Sequence, residues 1–301
     1  MARHALSRPP GPVERHTPPP HDVWLSELFT GALSLHLEIP ANQYVSPATG
    51  RLGLVSDGSS KVVAQRAATR AGTPVLPGSG IKGAVRTLYE LLSFSCDPFA
   101  HSRPGQRCTP QACCDACSLF GLLGYNGRVS FSDAVPATPT SVLIQVQRVP
   151  IPWTPDPGKT RGDFRLYDLA EATALDPGRR TVQKQAKDLS RQVYLGIFET
   201  RMIFVNLQPQ ELGRILLAMG LGTDRSTRFL LRLGGVKYDG KGAVKVVPRQ
   251  LRLVKPTPRT FDAEACGEQY VKWIGAARAS LWAETFWPKL EQLSTLLYPK
   301  T

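Results

Sequence analysis

The chain has no apolar run approaching the roughly 18 residues that a membrane-spanning helix requires, which excludes a helical membrane anchor within it. Arginines near the start are followed by no apolar stretch, so the N-terminus does not read as a secretory signal. Acidic residues are in short supply: 24 Asp and Glu stand against 37 Lys and Arg, for a net charge of +13. That imbalance favours a polyanionic partner such as nucleic acid. The bases are scattered and form no long basic amphipathic helix, which argues against an acidic membrane surface. The expectation is a soluble, cytoplasmic protein with no membrane partner. Disulfides are not expected in that compartment.

Among the features present, residues 74–89 are the most informative. Val75 and Leu76 form a short apolar strand that runs into Pro77, Gly78, Ser79 and Gly80 and then into a helix. Lys82 and Arg86 lie four residues apart, on one face of its first turns. Glycines let a backbone approach a ligand closely, and a helix N-terminus offers N–H groups and a positive dipole end. The stretch therefore reads as a phosphate site: the backbone of Gly78, Ser79 and Gly80, with Lys82 as a point charge and Arg86 as a bidentate grip. A plain strand-to-helix turn with solvated charges is the competing reading. Gly78, Gly80 and Gly83 also spell the dinucleotide fingerprint, but the acid at the right distance, Asp97, falls in a cysteine-rich loop rather than at a strand end. A phosphate loop of the Walker type is excluded, because no Lys-Ser/Thr pair follows the glycines.

Five of the six cysteines fall between positions 96 and 117, with His101 the one histidine among them. Cys114 and Cys117 form a C-x-x-C knuckle that brings two sulfurs to one tetrahedral zinc. Cys108 is the third expected ligand. The fourth comes from His101, Cys96 or Cys113, and His101 is the expected choice. Polar neighbours around these thiols argue against simple buried cysteines. The expected cofactor is one structural zinc. A catalytic zinc is not expected, since nothing in the spacing marks a carboxylate that orients a ligand or a position left open.

Around these motifs, Leu33, Leu35, Leu37 and Ile39 alternate as in a half-buried strand. A Gly/Ser/Pro-rich loop is expected from there to Ala71. Residues 84–94 have helical spacing, 127–134 and 194–205 read as strands, and Leu212, Ile215, Leu216 and Met219 mark a helical face. Residues 230–247 form a glycine-rich hairpin in which Tyr238, between Lys237 and Lys241, could stack on an unpaired base while the lysines hold phosphates. The order strand–helix–strand, insertion, strand–helix–strand predicts an α+β fold with a ferredoxin-like (RRM-like) antiparallel sheet.

Three segments carry a resemblance. Pro77-Gly-Ser-Gly-Ile-Lys-Gly-Ala-Val-Arg86 resembles the P-G-S-S-L-K-G-x-x-R signature of the RAMP superfamily, with Gly80 in place of the second serine. Cys114-Asp-Ala-Cys-Ser-Leu-Phe-Gly121, followed by Gly127-Arg-Val-Ser-Phe-Ser-Asp-Ala134, is similar to the C-x-x-C-x-L-F-G block and following strand of type III CRISPR subunits. Residues 233–247 resemble the C-terminal glycine-rich loop of the same proteins. Clustered prolines and no apolar periodicity mark residues 1–22 as a disordered arm, and amphipathic spacing marks 256–301 as a C-terminal helical extension. The resemblance implies a RAMP domain over 23–255, with the zinc loop at 96–121 and a thumb-like hairpin at 148–190. It implies guide CRISPR RNA, target RNA and other RAMP-type subunits as partners, in antiviral defence.

Target-cleaving members carry an aspartate upstream of the signature, just before a short apolar run ending in arginine. Here that run is Val62-Val-Ala-Gln-Arg66, preceded by Ser60 and Lys61. Asp57 is the only acid between Glu38 and Glu90 and the only candidate catalytic carboxylate there, with magnesium as its implied metal. The mismatch favours a guide-RNA-binding structural subunit. A target-cleaving endoribonuclease using Asp57, and a stand-alone zinc-containing RNA-binding protein, are the alternatives.

Overall fold

A computed structural model describes residues 3–6, 12–20, 22–57, 60–96, 107–150, 164–167 and 188–298. The strands are β1 (Arg3–Leu6), β2 (Phe29–Glu38), β3 (Ala48–Asp57), β4 (Ser60–Ala67), β5 (Thr69–Arg70), β6 (Thr73–Pro74), β7 (Val129–Phe131), β8 (Val135–Pro136) and β9 (Val142–Pro150). They continue with β10 (Phe164–Tyr167), β11 (Asp188–Leu207), β12 (Leu231–Arg232), β13 (Ala243–Lys255) and β14 (Arg259–Phe261). The α-helices are α1 (Gly78–Leu91), α2 (Asp115–Phe120), α3 (Pro209–Ala218), α4 (Ala263–Arg278) and α5 (Leu281–Leu297).

The large sheet runs β12-β13-β2-β11-β4-β3, with β7, β8 and β9 also on β11 and β14 on β13. The protein is therefore α+β. Its centre has the spatial order β13-β2-β11-β7, all antiparallel. The alternation of β2 is what the pleat requires: Leu33, Leu35 and Leu37 are buried against the helices, while Ser34, His36 and Glu38 face outward. α3 places Leu212, Ile215, Leu216 and Leu217 in the same core, and a capping box between Gln208 and Glu211 starts it.

Two departures from the sequence expectations concern the ends of the chain. Part of the N-terminal arm is paired: β1 lies antiparallel to β10, and His16 exchanges backbone hydrogen bonds of 3.0 Å with Cys113. The C-terminal helices complete the core rather than extend from it. Trp273 of α4 is buried edge-to-face against Phe29 and Phe204. Trp282 of α5 is buried and donates its indole N–H to the Leu92 carbonyl at 2.5 Å.

A third departure is the stretch expected to be a loop, which is a hairpin. β3 pairs with β4 from Leu52↔Gln65 to Asp57↔Ser60. Val55 and Ala64 are buried on one face, while Leu52, Leu54 and Val63 are exposed on the other. Apolar residues on both faces hid the period-two pattern that marks a strand.

β11 changes partners in its middle. Over Asp188–Gly196 it pairs with β9, and from Ile197 onward it pairs with β2. Gly196 sits at the change, with φ +110°, and a Cβ there would lie 1.9 Å from the Ser141 carbonyl oxygen, so no other residue fits. Asp188 is in register with Pro150, so the chain leaves and re-enters the sheet on neighbouring strands. Of the insertion expected at 148–190 to form a thumb, the described residues are β10 and the ends 148–150 and 188–190, which belong to β9 and β11.

Candidate functional site

The signature segment begins where Leu76 and Ala134 exchange backbone hydrogen bonds of 2.9 and 2.8 Å, so the strand before α1 is tied to the chain just after β7. Asp133 next door accepts the Gly78 N–H at 2.9 Å and has Arg70 at 3.5 Å from its other oxygen. A carboxylate of the protein itself thus lies at the helix N-terminus. Gly78 is needed for packing, since a Cβ there would meet the Phe131 carbonyl oxygen at 2.2 Å.

Gly80 and Gly83 differ. A Cβ at either would meet nothing within 4 Å. With Ser79 and Thr87 they make an exposed face of α1 that no part of the described chain covers. Lys82 borders this face, its pKa lowered first by desolvation and then by Arg86.

Arg86 turns the other way. Its guanidinium donates to Glu90 Oε1 at 2.7 Å, the Gly121 carbonyl at 2.8 Å and Cys117 Sγ at 3.6 Å. It ties α1 to the cysteine loop, and the structure spends on that tie the donors that the sequence reading assigned to phosphate.

The cysteine loop brings together Cys96, Cys108, Cys114 and Cys117, whose sulfurs all lie within 4.8 Å of one another. Cys96 follows the end of α1, Cys114 is the N-cap of α2 and Cys117 lies within it. Cys96 and Cys117 sulfurs are 3.5 Å apart, and all six cysteines are free thiols. Backbone N–H groups point at two sulfurs: Cys114 N–H to Cys108 Sγ at 3.2 Å and Cys96 N–H to Cys114 Sγ at 3.5 Å. Hydrogen bonds from Cys114, Cys117 and Cys96 hold Cys108 well below the usual thiol range, while Cys96 and Cys117 are pushed up.

This donor set fits a tetrahedral metal. Zinc–sulfur bonds of about 2.3 Å place the sulfurs of a four-thiolate site about 3.8 Å apart. The N–H groups and Arg86 suit the negative charge that four thiolates carry. The fourth sulfur is that of Cys96. His101, the expected fourth ligand, lies outside the described residues. Cys113 is buried outside the group, its thiol pushed up to about 11 by burial.

The glycine-rich segment forms a second basic station. Lys237, Tyr238 and Asp239 make one turn of 3-10 helix closed by Gly240. Arg232 of β12 donates to the Lys237 carbonyl at 3.0 Å, and Lys241 Nζ reaches the Asn42 carbonyl at 2.9 Å while lying 5.6 Å from the centre of the Tyr44 ring. Burial first, and then Arg232, lowers the pKa of Lys237. Burial also lowers that of Lys241, with Arg232 adding to it. Arg191 reaches in from β11, with Nη1 3.0 Å from the position a Cβ on Gly235 would take. Sequence reasoning found the three loop residues and missed Tyr44, Arg191 and Arg232. They come from separate strands and connections, and no local pattern marks them.

Asp57 ends β3 opposite Ser60, so it stands at the tip of the β3–β4 hairpin, away in sequence from both stations. No helix among the described residues is long and apolar enough to cross a membrane.

The model of one protein family, the RAMP superfamily, matches residues 28–245. A search of curated proteins gave no match. The matched stretch runs from β2 into β13 and takes in α1, the cysteine loop and the glycine-rich segment. On the strength of that match, across most of its 301 residues, the chain belongs to the RAMP superfamily.

Proposed function

We propose that this RAMP-superfamily chain is a guide-RNA-binding, architectural subunit of a type III CRISPR RNA-guided effector, with a ferredoxin-like core and one structural zinc. The observation that carries the RNA reading is the uncovered glycine face of α1. Helix-interior glycine costs about 0.5–1 kcal/mol relative to alanine. Gly83, inside α1, recovers none of it through packing within the described chain, and Gly80 in the first turn is equally uncovered. Closely approaching RNA backbone accounts for them, with Lys82 placed to meet its phosphates. The second basic station supplies Lys237, Lys241 and Arg191 for further phosphates and Tyr238 for an unpaired base.

Cys96, Cys108, Cys114 and Cys117 would hold the zinc. When bound, it cross-links the end of α1 to α2 and needs no open position. Arg86 balances part of its thiolate charge and passes the rigidity of the loop to the helix that carries Lys82.

The experiment is recovery of RNA with the tagged chain from cells that make it, followed by sequencing. Enrichment of transcripts from CRISPR arrays supports the proposal, and an unselective RNA profile overturns it. An Asp57→Ala complex given target RNA and magnesium decides the nuclease alternative. An unchanged fragment ladder fits an architectural subunit, and loss of one cut assigns that cut to Asp57.

A further inference from the structure

Asp133 places a negative charge beside the face of α1 that the RNA reading gives to phosphates. One of its carboxylate oxygens accepts the Gly78 N–H at 2.9 Å, which suits the positive end of the helix. The other oxygen faces Arg70 at 3.5 Å, and 38 % of the Asp133 side chain stays open to solvent. The uncovered face of α1 begins one residue after Gly78, at Ser79 and Gly80.

The carboxylate is held from both sides of the chain. The Ser132 N–H donates to the Arg201 carbonyl at 3.0 Å, and the Ala134 N–H to the Leu76 carbonyl at 2.8 Å. The helix start packs so closely here that a Cβ on Gly78 would also lie 2.8 Å from the Ser132 carbonyl oxygen. An acceptor fixed in this way loses little entropy when a ligand binds.

Arg70 arrives from a separate device. β5 and β6 pair only as Thr69↔Pro74 and Arg70↔Thr73, around the two-residue turn Ala71-Gly72. Both turn residues have positive φ, +48° and +81°, as a tight hairpin requires. A left-handed alanine is uncommon and unfavourable. Thr69 to Thr73 are all exposed, so burial within the turn does not offset that cost. What the turn achieves is to hold Arg70, 76 % exposed, beside Asp133.

A carboxylate repels phosphate, so next to an RNA backbone it needs a hydrogen-bond donor. Arg70 stands farther off than the roughly 2.7–2.9 Å of a close charged pair, which leaves the facing oxygen able to accept another donor. The ribose 2′-hydroxyl is a donor that RNA brings and DNA lacks. We propose, on the reading that RNA backbone packs on α1, that Asp133 and Arg70 together read one ribose–phosphate unit. The Asp133 oxygen facing Arg70 accepts the 2′-hydroxyl, and the Arg70 guanidinium grips the adjoining phosphate. Lys82 meets only phosphate, which RNA and DNA share, so Asp133 is the residue by which this face tells the two apart. Arg70 also fills the place of Arg86, whose donors are committed to Glu90 and the cysteine loop.

Fluorescence anisotropy of the full chain with a uridine oligomer and its 2′-deoxyuridine counterpart tests this, since the two carry the same bases and no exocyclic amine. The wild type should bind the ribose form about tenfold more tightly, the least expected of a hydrogen bond to a charged group. Asp133→Asn keeps an amide oxygen for the Gly78 N–H but removes the anionic acceptor, and should bring the two affinities close to parity. Arg70→Ala should weaken both and flatten the salt slope by about 0.7, with thermal unfolding unchanged. Lys82→Ala should weaken both alike and keep the preference. Three results would each overturn the inference while leaving the RNA reading in place: a wild type that binds RNA with no preference for ribose, a folded Asp133→Asn variant that keeps the preference, or an Arg70→Ala salt slope equal to that of the wild type. A wild type that binds neither oligomer would overturn both.

Discussion

Replacing Gly83 by alanine separates folding from RNA binding. The residue lies inside α1, and an added Cβ meets nothing within 4 Å, so the methyl group clashes with no part of the described chain. Alanine exceeds glycine in helix propensity by about 0.8–1.0 kcal/mol. For a domain of this size that raises Tm by about 2 °C or a little more. Gly80 lies in the first turn and gains less. Gly78→Ala is the contrast: its Cβ would lie 2.2 Å from the Phe131 carbonyl oxygen, so that variant must lose stability. If RNA backbone packs on this face, the Gly83 methyl holds it off, and affinity falls by about tenfold, or about 1.4 kcal/mol. The assay pairs thermal unfolding with fluorescence anisotropy on single-stranded RNA at several salt concentrations. Lys82→Ala, in the same assay, should flatten the salt slope by about 0.7, the value for one phosphate contact on a single strand. Gly83→Ala that is more stable and binds RNA as well as wild type would refute the close-approach reasoning. Loss of stability would show instead that the face is not open.

Metal analysis of the purified protein should find one zinc per chain. Cys96→Ser should lose it, whereas Cys113→Ser and Cys266→Ser retain it, and acidification should release it as thiols reclaim their protons. Arg128, 2 % exposed, is bonded to Glu211 through both carboxylate oxygens and donates to Ser118 Oγ at 2.8 Å and the Asn206 carbonyl at 2.7 Å. Arg128→Ala leaves Glu211 without that cation and should cost on the order of 3–5 kcal/mol in chemical denaturation, a large share of a stability of about 5–15 kcal/mol.

Strong local periodicity was legible. The leucines of β2, the face of α3 and the strand-to-helix turn before α1 each follow from spacing that one element alone dictates. The alternating pattern shows only 194–205 of the long strand β11, because its first half carries polar residues on a less buried sector of the sheet. The β3–β4 hairpin carries no strand pattern in sequence because its exposed face is apolar. Three of the four clustered cysteines were found from the C-x-x-C spacing and a neighbour. Choosing Cys96 required knowing where α1 ends, which places that thiol against α2. Arg86 shows the limit most clearly. Its spacing from Lys82 puts both on one helical face, but sequence does not show that the Gly121 carbonyl and the Cys117 sulfur lie within reach of its guanidinium.

Gly196 divides one strand between two mechanical duties. Up to that residue β11 belongs with β9 and the root of the insertion; beyond it, with the helix-backed sheet. Since Pro150 and Asp188 are already in register, whatever chain joins them starts and ends at one fixed opening. Lengthening such a joined segment costs only about 0.6 kcal/mol for each doubling. The root of the insertion is thus a fixed socket, and β10 farther along it has a second anchor in β1. Changes of length at that root are expected to leave the α1 face and the cysteine cluster in place.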